Sequence, residues 1–224
     1  MRALFNPDSM FMRFMSRMGD LLLLNFFFLI TSLPIFTVGA SLTAMYTVCF
    51  RFGTDREMGT TRSFFKAFRD NFKQATVLWL ILLVLMVMCC VNIVLFFLMR
   101  NTLHYLWILF ALLLGIALLI FCLAFPLLSQ FDNTVKTTFK NALLLSIAYL
   151  PRAALIALMW AFPIWLLFQD IYLFLQCGFI FIALYFAILT FFGSKLLTKV
   201  FAPFMPQEDE DETTDTQEDC DDRS

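Results

Sequence analysis

The side chains able to do chemistry in this chain are few, and their placement argues against catalysis. The sequence holds a single histidine, His104, in a short polar turn. Four long stretches, Leu21–Phe50, Gln74–Met99, Asn101–Phe131 and Ile171–Ser194, contain no Asp, Glu, Lys or Arg. Intramembrane hydrolysis needs paired carboxylates, a histidine beside a serine or glutamate, or a cluster of metal ligands. None of these can be assembled within such stretches. No Walker-type or dinucleotide-type glycine pattern is present. The expectation is a non-enzymatic protein with no catalytic residue, cofactor, metal site or nucleic-acid partner. Cys49, Cys89, Cys90, Cys122 and Cys177 lie in apolar segments and Cys220 lies near the C-terminus. Their spacing fits no zinc or redox pattern, so they read as small hydrophobes without a disulfide framework.

The polar groups that do enter apolar surroundings are the candidate functional residues. Arg152 is the one charge well inside a hydrophobic block, and charges there are functional by default. It sits near the inner end of its block, beside Pro151. Two readings stand: its side chain reaches the interface, or it contacts an anion or substrate. Asn25 and Asn92 are expected to hydrogen-bond between helices. Pro34, Thr37 and Gly39 belong to a Leu33–Gly39 interruption of the first block. Pro34 lacks an N–H and its ring crowds the Ile30 carbonyl. A carbonyl left free in lipid costs several kcal/mol, so the break is expected to face protein or water. Thr31, Ser32 and Thr37 offer hydroxyls nearby. Beyond it, Gly39, Thr43 and Thr47, and also Ala40 and Ala44, recur at four-residue spacing, which suits close helix packing. The break is either part of that packing face or an opening for a ligand.

The elements that position these residues are membrane helices. A bilayer core about 30 Å thick needs roughly 20 apolar residues, and only helices or closed barrels satisfy their backbone there. The stretches are continuously apolar rather than alternating. Apolar residues make up 61% of the chain and charged residues 15%, against roughly 45–50% and 25% in soluble domains. The expected fold is therefore all-α and polytopic, with about five transmembrane helices plus interfacial amphipathic helices. The spans fall near residues 21–50, 75–99, 105–128, 144–168 and 171–192. The first block, about 45 Å as one helix, is expected to be a single kinked span rather than a broken hairpin. The expected division is a helical membrane domain over residues 1–206 and a disordered acidic tail over 207–224. The first block is too long for a signal h-region and stays in the protein.

Two polar segments carry helical periodicity. In Asp8–Asp20, Phe11, Phe14, Met15 and Met18 oppose Arg13, Ser16, Arg17 and Asp20, which suits an interfacial helix or packing on the bundle. In Thr61–Lys73, Phe64, Phe65, Phe68 and Phe72 fall within an arc of about 100°. Arg62, Lys66, Arg69 and Lys73 fall within an opposed arc of about 60°. That pattern predicts a helix lying flat on an anionic inner leaflet, capped by Thr60, Thr61 or Ser63. Its basic face is either an anchor or a docking surface for a partner. Residues 131–141 repeat the logic through Lys136 and Lys140. The tail holds ten of the chain's 17 acidic residues and one of its 16 basic ones, leaving 7 acidic and 15 basic in the body. Without aliphatic or aromatic side chains it cannot offset its ordering entropy. It is a solubilising tail, or one that binds a partner or the basic loops. Lys and Arg place the Arg51–Lys73 loop, the 131–141 loop and the C-terminus inside.

Phe72-Lys73-Gln74-Ala75 and Phe139-Lys140-Asn141-Ala142 each precede a pair of spans. They reflect either two parallel units, as known in transporters, or chance and shared topology. The order of features resembles the YesL-like family of small bacterial integral membrane proteins of unknown function. The matching residues are Gly19-Asp20-Leu21 with Asn25, Leu33-Pro34-Ile35-Phe36-Thr37-Val38-Gly39-Ala40, Thr43-Ala44-Met45-Tyr46 and Phe64–Ala75. Phe125-Pro126-Leu127-Leu128 and Asn141-Ala142 fit as well. The match spans roughly residues 5–200 and is most specific in the first 75. The resemblance implies a multi-pass protein of the bacterial cell membrane, often encoded beside carbohydrate-uptake transporters and glycan-degrading enzymes. The expected function is that of a membrane accessory protein partnering a transporter complex and an anionic leaflet. The alternative is a small permease, as a homo-oligomer, passing a solute between helical hairpins. The resemblance carries over no site residues.

Overall fold

The computed structural model describes residues 10–52, 59–99, 102–131, 133–169 and 184–201. It is 94% helical and has no strand among these residues, so the fold is all-α, as the continuous apolar patterning predicts. Seven helices lie among them: α1 (Met10–Thr31), α2 (Val38–Arg51), α3 (Thr60–Leu98), α4 (Leu106–Gln130), α5 (Val135–Ala148), α6 (Leu150–Gln169) and α7 (Phe186–Phe201). Short 3₁₀ turns at Ile35–Thr37 and Thr102–Tyr105 precede α2 and α4. Helices α3 and α4 are each long and apolar enough to cross a membrane. Helices α5 and α6 add a third crossing if the pair is one broken span, bent by 104°. Part of the fifth expected span, residues 170–183, lies outside the described residues, as do the 207–224 tail and Cys177.

The first apolar block is a hairpin, not the single kinked span that its length favours. At the closed end, the Thr37 hydroxyl donates to the Thr31 carbonyl at 2.5 Å and Ser41 donates to the Thr31 hydroxyl at 2.9 Å. At the open end, the Arg17 guanidinium lies 5.1 Å from the centre of the Phe52 ring. The two helices are therefore antiparallel. Pro34 stops α1 by withholding an N–H. The composition of α2 explains the reversal. Gly39, Ala40, Ser41, Thr43, Ala44 and Thr47 ring it with small side chains, so other helices can approach from every direction. All residues from Gly39 to Cys49 are buried, and α2 becomes the axis of the bundle, packed by α1, α3, α4 and α7.

Both amphipathic segments are continuous with the apolar helices that follow them. The Asp8–Asp20 pattern, from Met10 on, is the first half of α1. The Thr61–Lys73 pattern opens α3, a helix of 39 residues, or about 58 Å. It is not a separate helix. Its Phe arc is partly taken up by protein: Phe68 and Phe72 pack half-buried against the core, and Phe65 stays exposed. Phe64 is fully buried, and the Phe27 ring lies 5.8 Å from Phe64 and 5.2 Å from Phe65. None of the expected hydroxyls caps α3: Gly59, at φ +46°, holds that place. Thr60 donates instead to the Asp20 carboxylate at 2.7 Å, tying the open end of the hairpin to α3.

Helix α4 returns antiparallel to α3, with Phe96 and Phe110 stacked at 5.6 Å. The core sits toward the hairpin end, between Ser63 and Leu82 on α3 and Ala117 and Leu128 on α4, with Cys89 beyond it. Farther out, Val84, Val87, Met88, Val91, Val94, Leu95 and Leu98 form an exposed stripe on α3. Only 11% of the most apolar window of α3 is buried by the protein, a surface suited to lipid. The two proposed repeat units differ: Phe72–Ala75 lies within straight α3, whereas the chain after Phe139–Ala142 bends sharply at Tyr149.

Candidate functional site

The structure gathers Pro34, Thr37 and Gly39 at the hairpin turn. Thr37 donates to the carbonyls of both Thr31 and Pro34, the latter at 2.7 Å, so its hydroxyl closes the break. Trp79 on α3 reaches in and donates Nε1–H to the Ile35 carbonyl at 2.7 Å. Gly39 is already helical and serves close approach. A Cβ there would lie 2.5 Å from Trp79 Cβ and 2.7 Å from the Ala75 carbonyl oxygen. The polar groups of the turn thus face protein, apart from the Ser32 hydroxyl, which is buried without a partner. The apolar side chains of Leu33, Ile35 and Phe36 point outward, Leu33 at 79% exposure. The turn is a packed joint with a lipid-compatible tip.

Asn25 lies deeper in the hairpin and is fully buried. Its Oδ1 accepts from the backbone N–H of Ala187, at the start of α7, at 3.3 Å. It joins helices, as its type and place predict. Asn92 instead donates to the Met88 carbonyl of its own helix at 2.7 Å. His104 lies in the Thr102–Tyr105 turn, its Nδ1–H donating to Met99 O at 3.1 Å.

Arg152 stands apart from the turn. It occupies the elbow between α5 and α6, its guanidinium 5.5 Å from the centre of the Tyr149 ring. No hydrogen bond or ring contact joins it to the hairpin turn among the described residues. Ser146, near the end of α5, donates to the Leu119 carbonyl at 3.2 Å, and Tyr149 lines a pocket with Leu127 and Phe131 at the end of α4. The chain bends by 104° between α5 and α6 at this elbow.

The basic residues Arg62, Lys66, Arg69 and Lys73 are all exposed on one side of α3. Beside them is a feature that sequence reading missed. A polar cleft of about 320 Å³ opens between the ends of α2 and α4 and the first half of α3. Arg51, Lys66, Asp70, Gln74, Ser129 and Gln130 line it. One signal was legible: Lys66, Asp70 and Gln74 recur every four residues and so share a helix face. Arg51 and Gln130 join them only because α2 and α4 end at the same level, which no local pattern reveals.

Fold and site together define an all-α, membrane-like protein built around a helical hairpin whose second arm, α2, is buried. A family model described as "Protein of unknown function, DUF624" matches residues 21–93. That range covers the apolar part of the hairpin and nearly all of α3, the part where the resemblance motifs concentrate. No curated protein and no solved structure matches the chain.

Proposed function

We propose that the chain is a non-enzymatic, multi-pass accessory protein of a bacterial cell membrane that partners a carbohydrate-uptake system, as a YesL-like protein would. The observation that carries this reading is the basic arc of Arg62, Lys66, Arg69 and Lys73. It rides on a helix that Phe64 anchors in the core, with Phe68 and Phe72 packed half-buried against it. The cations are presented rigidly and on one side, which suits an anionic leaflet and a partner subunit together. The positive-inside rule then puts both ends of the hairpin, the α4–α5 link and the C-terminus on the cytoplasmic side. Crosslinking and pull-down from native membranes tests the reading. Co-purification of a transporter complex, lost on replacing Arg62 and Arg69 by glutamate, supports it. A chain recovered alone speaks against it.

The hairpin favours one second reading, a small permease. Helices broken at membrane depth line solute sites in many transporters, and α2 begins from such a break. Solute flux into liposomes that requires Arg152 supports the permease over the accessory role.

A further inference from the structure

We infer that the polar cleft between α2, α3 and α4 binds a phosphate ester that also carries free hydroxyl groups. Two cationic side chains, Arg51 and Lys66, line it together with the carboxylate of Asp70. Among the described residues, no ion pair or hydrogen bond links these three to each other or to another group. Lys66 and Asp70 lie one turn apart on α3, and Arg51 lines the same cavity, of about 320 Å³, from the end of α2. The planar fork of arginine matches two phosphate oxygens, and lysine adds a point charge. A site for a bare anion has no use for a carboxylate. Asp70 accepts hydrogen bonds only, so it calls for donors on the ligand, and hydroxyls supply them. Gln74 and Gln130 offer both donors and acceptors. Ser129 and Thr47 point their own protons at the carbonyls of Pro126 and Thr43, leaving oxygen lone pairs for a hydroxyl-bearing partner.

The cleft lies at the ends of α2 and α4, where the apolar helices stop. Ligand chemistry of this kind reaches it from two sources: the glycerol-phosphate headgroup of a membrane lipid, or a small soluble phosphate ester. The inference holds whether the chain is an accessory subunit or a permease.

The test uses the full chain. In phosphatidylcholine nanodiscs, glycerol 3-phosphate is titrated by calorimetry. In parallel, the protein is extracted from mixed phosphatidylglycerol and phosphatidylcholine membranes and its retained lipid counted by native mass spectrometry. One-site binding of glycerol 3-phosphate identifies a soluble ligand, and one retained phosphatidylglycerol identifies a headgroup. In either case Arg51→Gln and Asp70→Asn should weaken binding about ten- to a hundredfold. Lys195→Gln, an exposed cation on α7 outside the cleft, should leave it unchanged. Lys66→Gln, at an exposed position, replaces Arg51→Gln if the latter elutes as aggregate. Neither ligand bound overturns the inference. Equal loss with Lys195→Gln also does, by revealing a diffuse basic surface. Tighter binding by Asp70→Asn does so too, since the carboxylate would then only repel.

Discussion

Replacing Gly39 with alanine should pry the hairpin from α3. The added Cβ would meet Trp79 Cβ at 2.5 Å, the Ala75 carbonyl oxygen at 2.7 Å and Phe125 Cε1 at 2.9 Å. Carbon contacts settle at about 3.5–4.0 Å, so the helices must part by roughly an ångström. The obstacle includes α3 backbone, which no rotamer change removes. Overpacking of this kind costs about 1–3 kcal/mol. The same displacement stretches the 2.7 Å bond from Trp79 Nε1 to the Ile35 carbonyl, worth about 0.5–1.5 kcal/mol. Together the loss is about 2–4 kcal/mol, or a fall in Tm of roughly 4–16 °C for a chain of this size. Thermal unfolding in detergent, followed by tryptophan fluorescence, measures it. Gly115→Ala is the internal control: nothing lies within 4 Å of its added Cβ, so it should be neutral or slightly stabilising. If Gly39→Ala melts with the wild type, the close approach of α2 and α3 is not what the structure describes.

Asn25→Leu should destabilise by about 1–3 kcal/mol, because it strands the Ala187 N–H in the core. Asn92→Leu should cost far less in the same melting assay, since only a bond within its own helix is lost. Trp79→Phe keeps most of the ring packing but drops the bond to Ile35, so a loss of about 1 kcal/mol is expected. A loss above about 3 kcal/mol would mean that the indole does more than close the turn. In a background with Cys90, Cys177 and Cys220 replaced by alanine, Ser16→Cys and Arg62→Cys should react with an impermeant maleimide from one side of the membrane and His104→Cys from the other. Labelling of Ser16→Cys together with His104→Cys would rule out the hairpin.

The fold class was legible because continuous apolar patterning has one solution in lipid. The existence of the break at Pro34 was legible for the same reason, since a missing N–H is a local fact. Its consequence was not. A kinked span and a hairpin share every local signal; what separates them is that α2 fits between α3, α4 and α7 through its small residues, a property of distant sequence. The four-residue spacing from Gly39 to Thr47 did announce a packing face, and Trp79 is the partner that Gly39 meets. The helix over Thr61–Lys73 was legible down to its two faces, but periodicity cannot say whether an apolar face meets acyl chains or Phe27. The 104° bend beside Arg152 escaped sequence reading for a related reason: Pro151 marks only where a bend is cheap. Of the cleft only the α3 face was legible, because Arg51 and Gln130 join it through the level at which α2 and α4 end.

The enclosure of α2 sets an order of events during synthesis. The hairpin is made first, yet the groups that satisfy it are made last: Asn25 waits for Ala187, 162 residues downstream. The same helix covers Tyr46: a Cβ added at Gly193 would lie 3.3 Å from the Tyr46 hydroxyl. Until α7 is in place, the face of α2 that it covers lies open. Chains cut short before residue 186 should therefore be recognised as incomplete and degraded, even though α3 and α4 are already inserted. Helix α7 acts as a seal over the hairpin.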